Sequence, residues 1–167
     1  TTINSKMQQY AEEAVAEHIG ADLQGRFDRG LKNLSNPPFA NDVDRSLANS
    51  IMTRARRDSD RYRNLKSEGM SEAEIFKTFS EPQEMKIFEW NGKEKMYVDT
   101  LMTPDDSIRH YKRHVRTAFI AMTADKGEIK AYVGSPDFRA FQYDNARQSK
   151  RQIGSTIKPF LYTLAMQ

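Results

Sequence analysis

The stretch Arg151-Gln-Ile-Gly-Ser-Thr-Ile-Lys-Pro-Phe160 decides how this 167-residue chain is interpreted. It follows residues 117–134, whose pattern predicts a β-hairpin, and it opens a predicted helix over 156–166. Ser155 and Lys158 are three residues apart, so on a helix they share a face and the ammonium can reach the hydroxyl. A serine at a helix N-terminus lies where negative charge is favoured, and a neutral lysine beside it can take its proton. The spacing is therefore typical of an acyl-serine enzyme.

The same spacing has a structural alternative. Ser155 can be a plain N-cap with Lys158 as a solvated first-turn charge, and residues 123–126 show that a Thr-x-x-Lys match also occurs in a predicted turn. Two neighbouring residues indicate that the serine lies at the N-terminus of the helix. Pro159 fits the first turn, where its missing N–H costs least, and Gly154 allows a sharp turn from loop into helix.

Several motifs around this stretch carry a family resemblance. They are Lys130-Ala-Tyr-Val-Gly134, Asp137-Phe138, Phe141 to Asn145, Arg151-Gln-x-Gly-Ser-Thr-x-Lys-Pro-Phe160 and Tyr162. Together they resemble the start of the transpeptidase domain of class A penicillin-binding proteins, the bifunctional peptidoglycan synthases. Asp106-Ser107-Ile108 extends the resemblance into the part before that domain.

The resemblance implies site residues and a reaction. Ser155 is the expected nucleophile, Lys158 is the expected general base, and Gln152, Gly154 and Thr156 are expected to contact substrate. The serine would attack the D-Ala-D-Ala amide of a peptidoglycan stem peptide and pass the acyl group to an amine of a neighbouring strand. β-Lactams would acylate the same serine.

The resemblance also implies that the chain is a truncated fragment. The family's later motifs, Ser-x-Asn and Lys-Thr-Gly, occur nowhere in these residues. The chain alone is therefore expected to be inactive. In the complete protein we expect an upstream glycosyltransferase domain, a membrane anchor at the periplasmic face of a bacterial inner membrane, and cell-wall regulatory proteins as partners.

Composition narrows the function classes. The chain is 38% hydrophobic and 29% charged, which suits one domain or two small ones. A net charge of +3 implies no strong nucleic-acid field, so no nucleic-acid partner is expected. The absence of cysteine excludes disulfides, thiolate metal sites and cysteine nucleophiles. No apolar run approaches the roughly 20 residues of a membrane span, and no cofactor motif is found.

The predicted fold class is α+β. Residues 1–83 are expected to form a mainly helical interdomain linker region, and residues 84–167 a hairpin plus the first antiparallel strands and nucleophile helix of a truncated penicillin-binding transpeptidase fold. The pattern predicts helices from Asn4 or Ser5 to Gly20, over 23–34, over 42–66, and from a capping box at Ser71 and Glu74 to about residue 79.

Hairpins follow the helices. Residues 84–99 are predicted to fold back at Asn91-Gly92, and residues 118–133 at a turn over 125–127, with both of the latter strands buried on at least one face. Between them Thr103-Pro104 predicts a helix start, with that helix running to about His114. Residues 135–150 are predicted to be a long loop held down by Phe138, Phe141 and Tyr143.

Two charged or metal-like patterns are given structural interpretations. His110 and His114 have metal-ligand spacing, but no acid or third histidine lies nearby in sequence, so we predict helix-surface histidines and no metal. The arginines of 54–63 are predicted to form a solvated helix face paired with Asp58 and Asp60. A patch for nucleic acid, lipid headgroups or an anionic glycan is the alternative.

Three functions remain open at this point. The chain is the start of a transpeptidase, or it is a non-catalytic module that spaces catalytic domains and docks regulatory partners, and both can hold for different parts. Another serine acyl-enzyme, a β-lactamase or carboxypeptidase, is the third, although the long segment before the serine argues against it. The helix after Ser155 and its hairpin leave apolar surface uncovered, which predicts a dimer through the open sheet edge.

Overall fold

The computed structural model describes residues 2–167 and confirms an α+β architecture. Its helical elements are α1 (Ser5–Val15), a π-helix (Ala16–Gln24), α2 (Gly25–Leu31), α3 (Arg45–Arg57), α4 (Asp60–Ser67), α5 (Glu72–Thr78), α6 (Pro104–Arg113), a 3₁₀ helix (Gly154–Ile157) and α7 (Lys158–Ala165). The strands form two separate antiparallel hairpins, β1 (Gln83–Asn91) with β2 (Glu94–Met102), and β3 (Phe119–Met122) with β4 (Ile129–Val133).

The first helical segment is longer than predicted. Asn4 caps α1, its Oδ1 accepting the Met7 N–H at 3.0 Å, but the helix does not end at Gly20. It continues through the π-helix into α2, so the separate helix predicted over 23–34 is the continuation of the first. Gly20 is a packing residue: a Cβ built on it would lie 2.5 Å from Cε3 of Trp90, so only glycine permits this approach.

The helix predicted over 42–66 is two helices, α3 and α4. The break comes at Ser59, whose Oγ accepts the Tyr62 N–H at 3.2 Å and so caps α4. A serine oxygen that satisfies a free N–H in this way favours a new helix start. The capping box at Ser71 and Glu74 is confirmed, with both reciprocal bonds present at the start of α5.

The first hairpin forms as predicted, but its turn lies one residue later in the sequence than predicted. Asn91 pairs with Glu94, so the two turn residues are Gly92 and Lys93, not Asn91 and Gly92. Gly92 has a φ of +58° and is the first central residue of the turn, the position that needs a positive φ in a type II′ turn. Thr103 caps α6 and Pro104 is its first residue, both as predicted.

Helix α1 packs on the second hairpin. Ala11 and Val15 are buried against Ala131 and Val133 of β4. Strand β3 is less covered than predicted: its large side chains are mostly exposed, and Ala121 packs against this cluster. The outer neighbour of β4 is the N-terminal segment, where the Asn4 N–H donates to the Lys130 carbonyl at 2.9 Å.

A second core belongs to the middle of the chain, where Phe39, Ala48 and Met52 are buried together. It is tied to the first helical segment by Gln24, which is buried. The Gln24 amide donates to the Arg113 carbonyl at 3.2 Å, and its oxygen accepts the Val115 N–H at 2.9 Å. The first helical segment is thus bonded, at Gln24, to the point where the chain leaves α6.

Within residues 2–167, no helix combines the length and the apolar character that crossing a bilayer requires.

Candidate active site

Ser155 lies inside a short 3₁₀ helix that leads directly into α7. Gly154, with a φ of +49°, begins this turn, and the Lys158 N–H donates to the Ser155 carbonyl. Side chains three residues apart eclipse one another in 3₁₀ geometry, so Ser155 and Lys158 share a face. The predicted helix is therefore present. The first turn of this helix is 3₁₀. Among residues 2–167 no side chain caps its N-terminus, and Ser155 is therefore not an N-cap.

The five sequence-predicted site residues lie together and open to solvent. Ser155, Lys158, Gln152, Gly154 and Thr156 are all exposed. The Thr156 hydroxyl donates to the Ile153 carbonyl, which fixes it to its own turn. In the described part of the chain, no hydrogen bond joins the Ser155 hydroxyl to Lys158. Their catalytic and binding roles stay predictions.

One aromatic residue anchors the loop between β4 and Ser155. Of the three aromatic residues predicted to anchor it, Phe141 is 3% exposed, whereas Phe138 is 72% and Tyr143 52% exposed, so only Phe141 is an anchor. The Arg116 guanidinium stacks over the Phe141 ring with 3.7 Å between its carbon and the ring centroid. Burial lowers the pKa of Arg116 to about 10.

Two aspartates also anchor this loop, through hydrogen bonds. Asp137 accepts the Tyr97 hydroxyl at 2.6 Å, and Asp144 accepts the Tyr132 hydroxyl at 2.6 Å. Burial alone would raise the pKa of Asp137, but the Tyr97 bond and two backbone N–H bonds leave it lowered. The Tyr132 bond is the main reason that the pKa of Asp144 is lowered. Each aspartate also accepts N–H groups two and three residues ahead, an Asx-turn pattern that could have been read from the sequence.

The prediction of surface histidines on α6 is wrong. His110 is 8% and His114 4% exposed. His110 Nε2 bonds the Phe88 carbonyl at 2.7 Å, and Glu89 on β1 lies beside it. Burial lowers the pKa of His114 to about 4, so its ring is neutral at pH 7. The acid absent from the sequence neighbourhood is supplied by a strand some twenty residues upstream.

The arginine run is paired with acids, as predicted, although with a wider set of partners. Arg54 lies 3.7 Å from Asp58, with both side chains exposed. Arg56 instead reaches Asp105 on α6 through two bonds of 2.7 and 2.6 Å. This ion pair is largely buried and joins α3 to α6. Arg56 therefore makes a tertiary contact and does not belong to a solvated helix face.

The comparisons with known proteins agree with this arrangement. Residues 34–115 match the family model for the penicillin-binding protein middle domain. This region, the middle domain, is similar to that family over just under half of the chain. It covers α3 to α6 and the β1–β2 hairpin. At its C-terminal end, Arg113 and Val115 form hydrogen bonds to Gln24. The predicted boundary at residues 83 and 84 falls inside this middle domain and stays a prediction.

Curated relatives match part of the chain. The chain is 40% identical over 68 residues to penicillin-binding protein 1A of Vibrio cholerae serotype O1, covering 38% of this chain and 8% of the relative. It is 44% identical over 52 residues to penicillin-binding protein 1A of Escherichia coli K12, covering 31% of this chain and 6% of the relative. No solved structure matches. The resemblance to class A penicillin-binding proteins is confirmed, and these matches span less than a tenth of the relatives' length.

Proposed function

We propose that this chain acts first as a non-catalytic module that holds the start of a transpeptidase unit in a fixed place. The observation that carries the proposal is the match of residues 34–115 to the middle domain, on a structure where a residue that precedes this region bonds to its C-terminal end. Gln24 bonds to residues 113 and 115, and α1 packs on β4. The middle domain therefore sits between two elements that pack on each other, which favours a rigid spacer over a flexible linker.

The test uses the complete protein. Replacing residues 34–115 by a flexible Gly/Ser linker should leave acylation of Ser155 by penicillin in place, because β4 and its helix remain. Cross-linking of newly polymerised glycan should fall, because the catalytic units lose their fixed spacing. Unchanged cross-linking in the replaced protein would contradict the spacer role.

We also propose that Ser155 is the acylated nucleophile of a DD-transpeptidase in the complete, membrane-anchored peptidoglycan synthase. The support is the shared face of Ser155 and Lys158 behind Gly154, within the motif Gly-Ser-Thr-x-Lys-Pro-Phe. Lys158 would take the hydroxyl proton, and the Ser155 N–H would supply half of the oxyanion hole. Gln152, Gly154 and Thr156 would contact the stem peptide. This site works at the periplasmic face and requires no cofactor.

Intact-mass spectrometry with a labelled penicillin tests the site. The complete protein should gain one label, and Ser155→Ala should abolish it. Thr123→Ala is the matched control, since Thr123 begins the other hydroxyl-x-x-Lys match, and it should label normally. The 167-residue chain alone should not label, because the Ser-x-Asn and Lys-Thr-Gly motifs are missing from it. Label retained in Ser155→Ala would overturn the assignment.

A dimer through β3 is the partner that the described surface favours. Within residues 2–167, β3 has β4 as its one strand neighbour, and Phe119, Ile120 and Met122 are 42–59% exposed on it. An open edge of this kind pairs with a second strand. Sedimentation of the chain at high concentration should therefore show a dimer, and a single monomeric species would refute it.

A further inference from the structure

We propose that Glu89, His110 and His114 form a binding site for one divalent first-row cation, with Zn²⁺ as the best fit. Each residue offers one ligand atom, and these atoms lie within 4.8 Å of one another. His110 lies on α6 and His114 is the C-cap of that helix, their ring centroids are 4.8 Å apart, and β1 brings the glutamate beside them. The set is two imidazoles and one carboxylate, which is a zinc set and not a calcium or magnesium set.

The hydrogen bonds leave the correct ring nitrogens free. His110 Nε2 faces the Phe88 carbonyl at 2.7 Å, and His114 Nδ1 faces the His110 carbonyl at 2.9 Å. A carbonyl oxygen only accepts, so these two nitrogens carry the protons. His110 Nδ1 and His114 Nε2 then hold lone pairs, and no donor in the described part of the chain occupies either. A metal-bound histidine is fixed in this way by a carbonyl on its other nitrogen.

The separations require little movement. His110 Nδ1 lies 3.7 Å from Glu89 Oε1. Ligand bonds of about 2.0–2.1 Å in tetrahedral geometry put neighbouring ligand atoms about 3.3 Å apart. That pair must therefore close by about 0.4 Å. The Glu89 side chain is 34% exposed and has room to rotate, whereas the two rings are already fixed.

His110 lines an open cavity of about 410 Å³. The wall of this cavity carries two acids, Asp28 and Asp106, against three basic residues, Lys32, Arg109 and Arg113, so its charge does not favour entry of a cation. Glu89, whose side chain is 34% exposed, gives the site its contact with solvent. Three protein ligands leave a fourth position for water, as in zinc sites that are not purely structural.

Arg113 is the competitor for the same carboxylate. Its Nη2 lies 2.5 Å from Glu89 Oε1, while its Nε is buried with no hydrogen-bond partner among the described residues. The guanidinium neutralises the glutamate in the cation-free protein and must yield one oxygen when the ion binds. Removing this charge with Arg113→Gln should therefore tighten binding, by about tenfold on the scale of outer-shell changes.

The experiment titrates ZnCl₂ into the 167-residue chain in metal-free buffer, followed by calorimetry, and repeats it with CoCl₂ followed by visible absorption. We expect one saturable ion per chain and the strong Co²⁺ bands of a four- or five-coordinate site. Glu89→Gln and His114→Gln should each weaken Zn²⁺ at least tenfold. His18→Gln is the matched control, because His18 is exposed on the π-helix, and it should leave the affinity unchanged.

Three results would overturn the proposal: equal affinity in the wild type and Glu89→Gln, loss of binding in His18→Gln, or a Co²⁺ spectrum of the hydrated ion. Glu89→Gln keeps the shape of a partly exposed side chain, so it remains decisive if a histidine variant does not fold. As an independent measure, Zn²⁺ should raise the unfolding temperature of the wild type and not that of Glu89→Gln.

Discussion

Replacing Gly20 by alanine should destabilise this protein although alanine is the better helix former. The new Cβ would lie 2.5, 2.7 and 2.8 Å from three ring atoms of Trp90, against an ordinary carbon contact of about 3.5–4.0 Å. The ring must therefore move by about 1 Å. It packs edge-on against Phe88, which is fully buried, so the movement enters the aromatic cluster. Overpacking costs about 1–3 kcal/mol and alanine returns about 1 kcal/mol of helix propensity, for a net loss of up to about 2 kcal/mol.

Urea unfolding followed by fluorescence measures this directly, because Trp90 is the single tryptophan of the chain. Gly30→Ala is the matched control: no atom lies within 4 Å of a Cβ built there, so it should stabilise by up to about 1 kcal/mol. The variants Trp90→Leu and Gly20→Ala, Trp90→Leu lack the fluorophore and are followed by circular dichroism, and the double variant should show a coupling that offsets part of the Gly20→Ala loss. If Gly20→Ala were as stabilising as Gly30→Ala, the close approach to Trp90 would be refuted.

Three further changes in unfolding free energy, all measured by urea titration, should follow. Arg56→Ala should cost about 1–2 kcal/mol because it breaks the bidentate pair with Asp105, whereas Arg54→Ala, at an exposed pair, should stay within about 0.5 kcal/mol. Ser71→Ala should cost about 1 kcal/mol through loss of the capping box, and no loss would mean that this cap is redundant. In metal-free buffer, burial lowers the pKa of His114 to about 4 from 6.5, so the unfolded chain binds more protons between these values. Stability should be fully present above about pH 6.5 and fall by up to about 3 kcal/mol towards pH 4, and His114→Gln should flatten that slope.

The features predicted correctly from the sequence are those whose partners lie within a few residues. The caps at Ser71 and Thr103 bond to N–H groups three residues ahead, so the pattern contains the whole interaction. The Ser59 cap obeys the same rule and was missed because the apolar spacing of 42–66 continues across it. The turn at Gly92 was misplaced by one residue because Asn-Gly and Gly-x turns suit the same local sequence.

The features predicted wrongly depend on residues far along the chain. Gly20 has the appearance of a helix end, and only Trp90, seventy residues later, shows that the glycine serves close packing. His110 and His114 have the spacing of a helix surface, and only the Phe88 carbonyl and Glu89 on β1 show that they are buried. The candidate site is the opposite case. Ser155 and Lys158 are three residues apart in sequence, so their shared face was predictable, and the structure leaves both side chains exposed.

The middle domain interrupts a unit whose two parts pack on each other. Helix α1 and the N-terminal segment bind along β4, where Gln8 both donates to the Tyr132 carbonyl at 3.0 Å and accepts the Tyr132 N–H at 2.8 Å. The strand that leads to Ser155 is therefore held by residues that precede the middle domain. Gln24 then fixes the exit of that domain, because one buried amide bonds to two backbone groups after α6. A rotation of the middle domain relative to β4, with α1 still bound to β4, would break the Gln24 bonds, so the orientation of that domain and the position of β4 are coupled through Gln24 and α1.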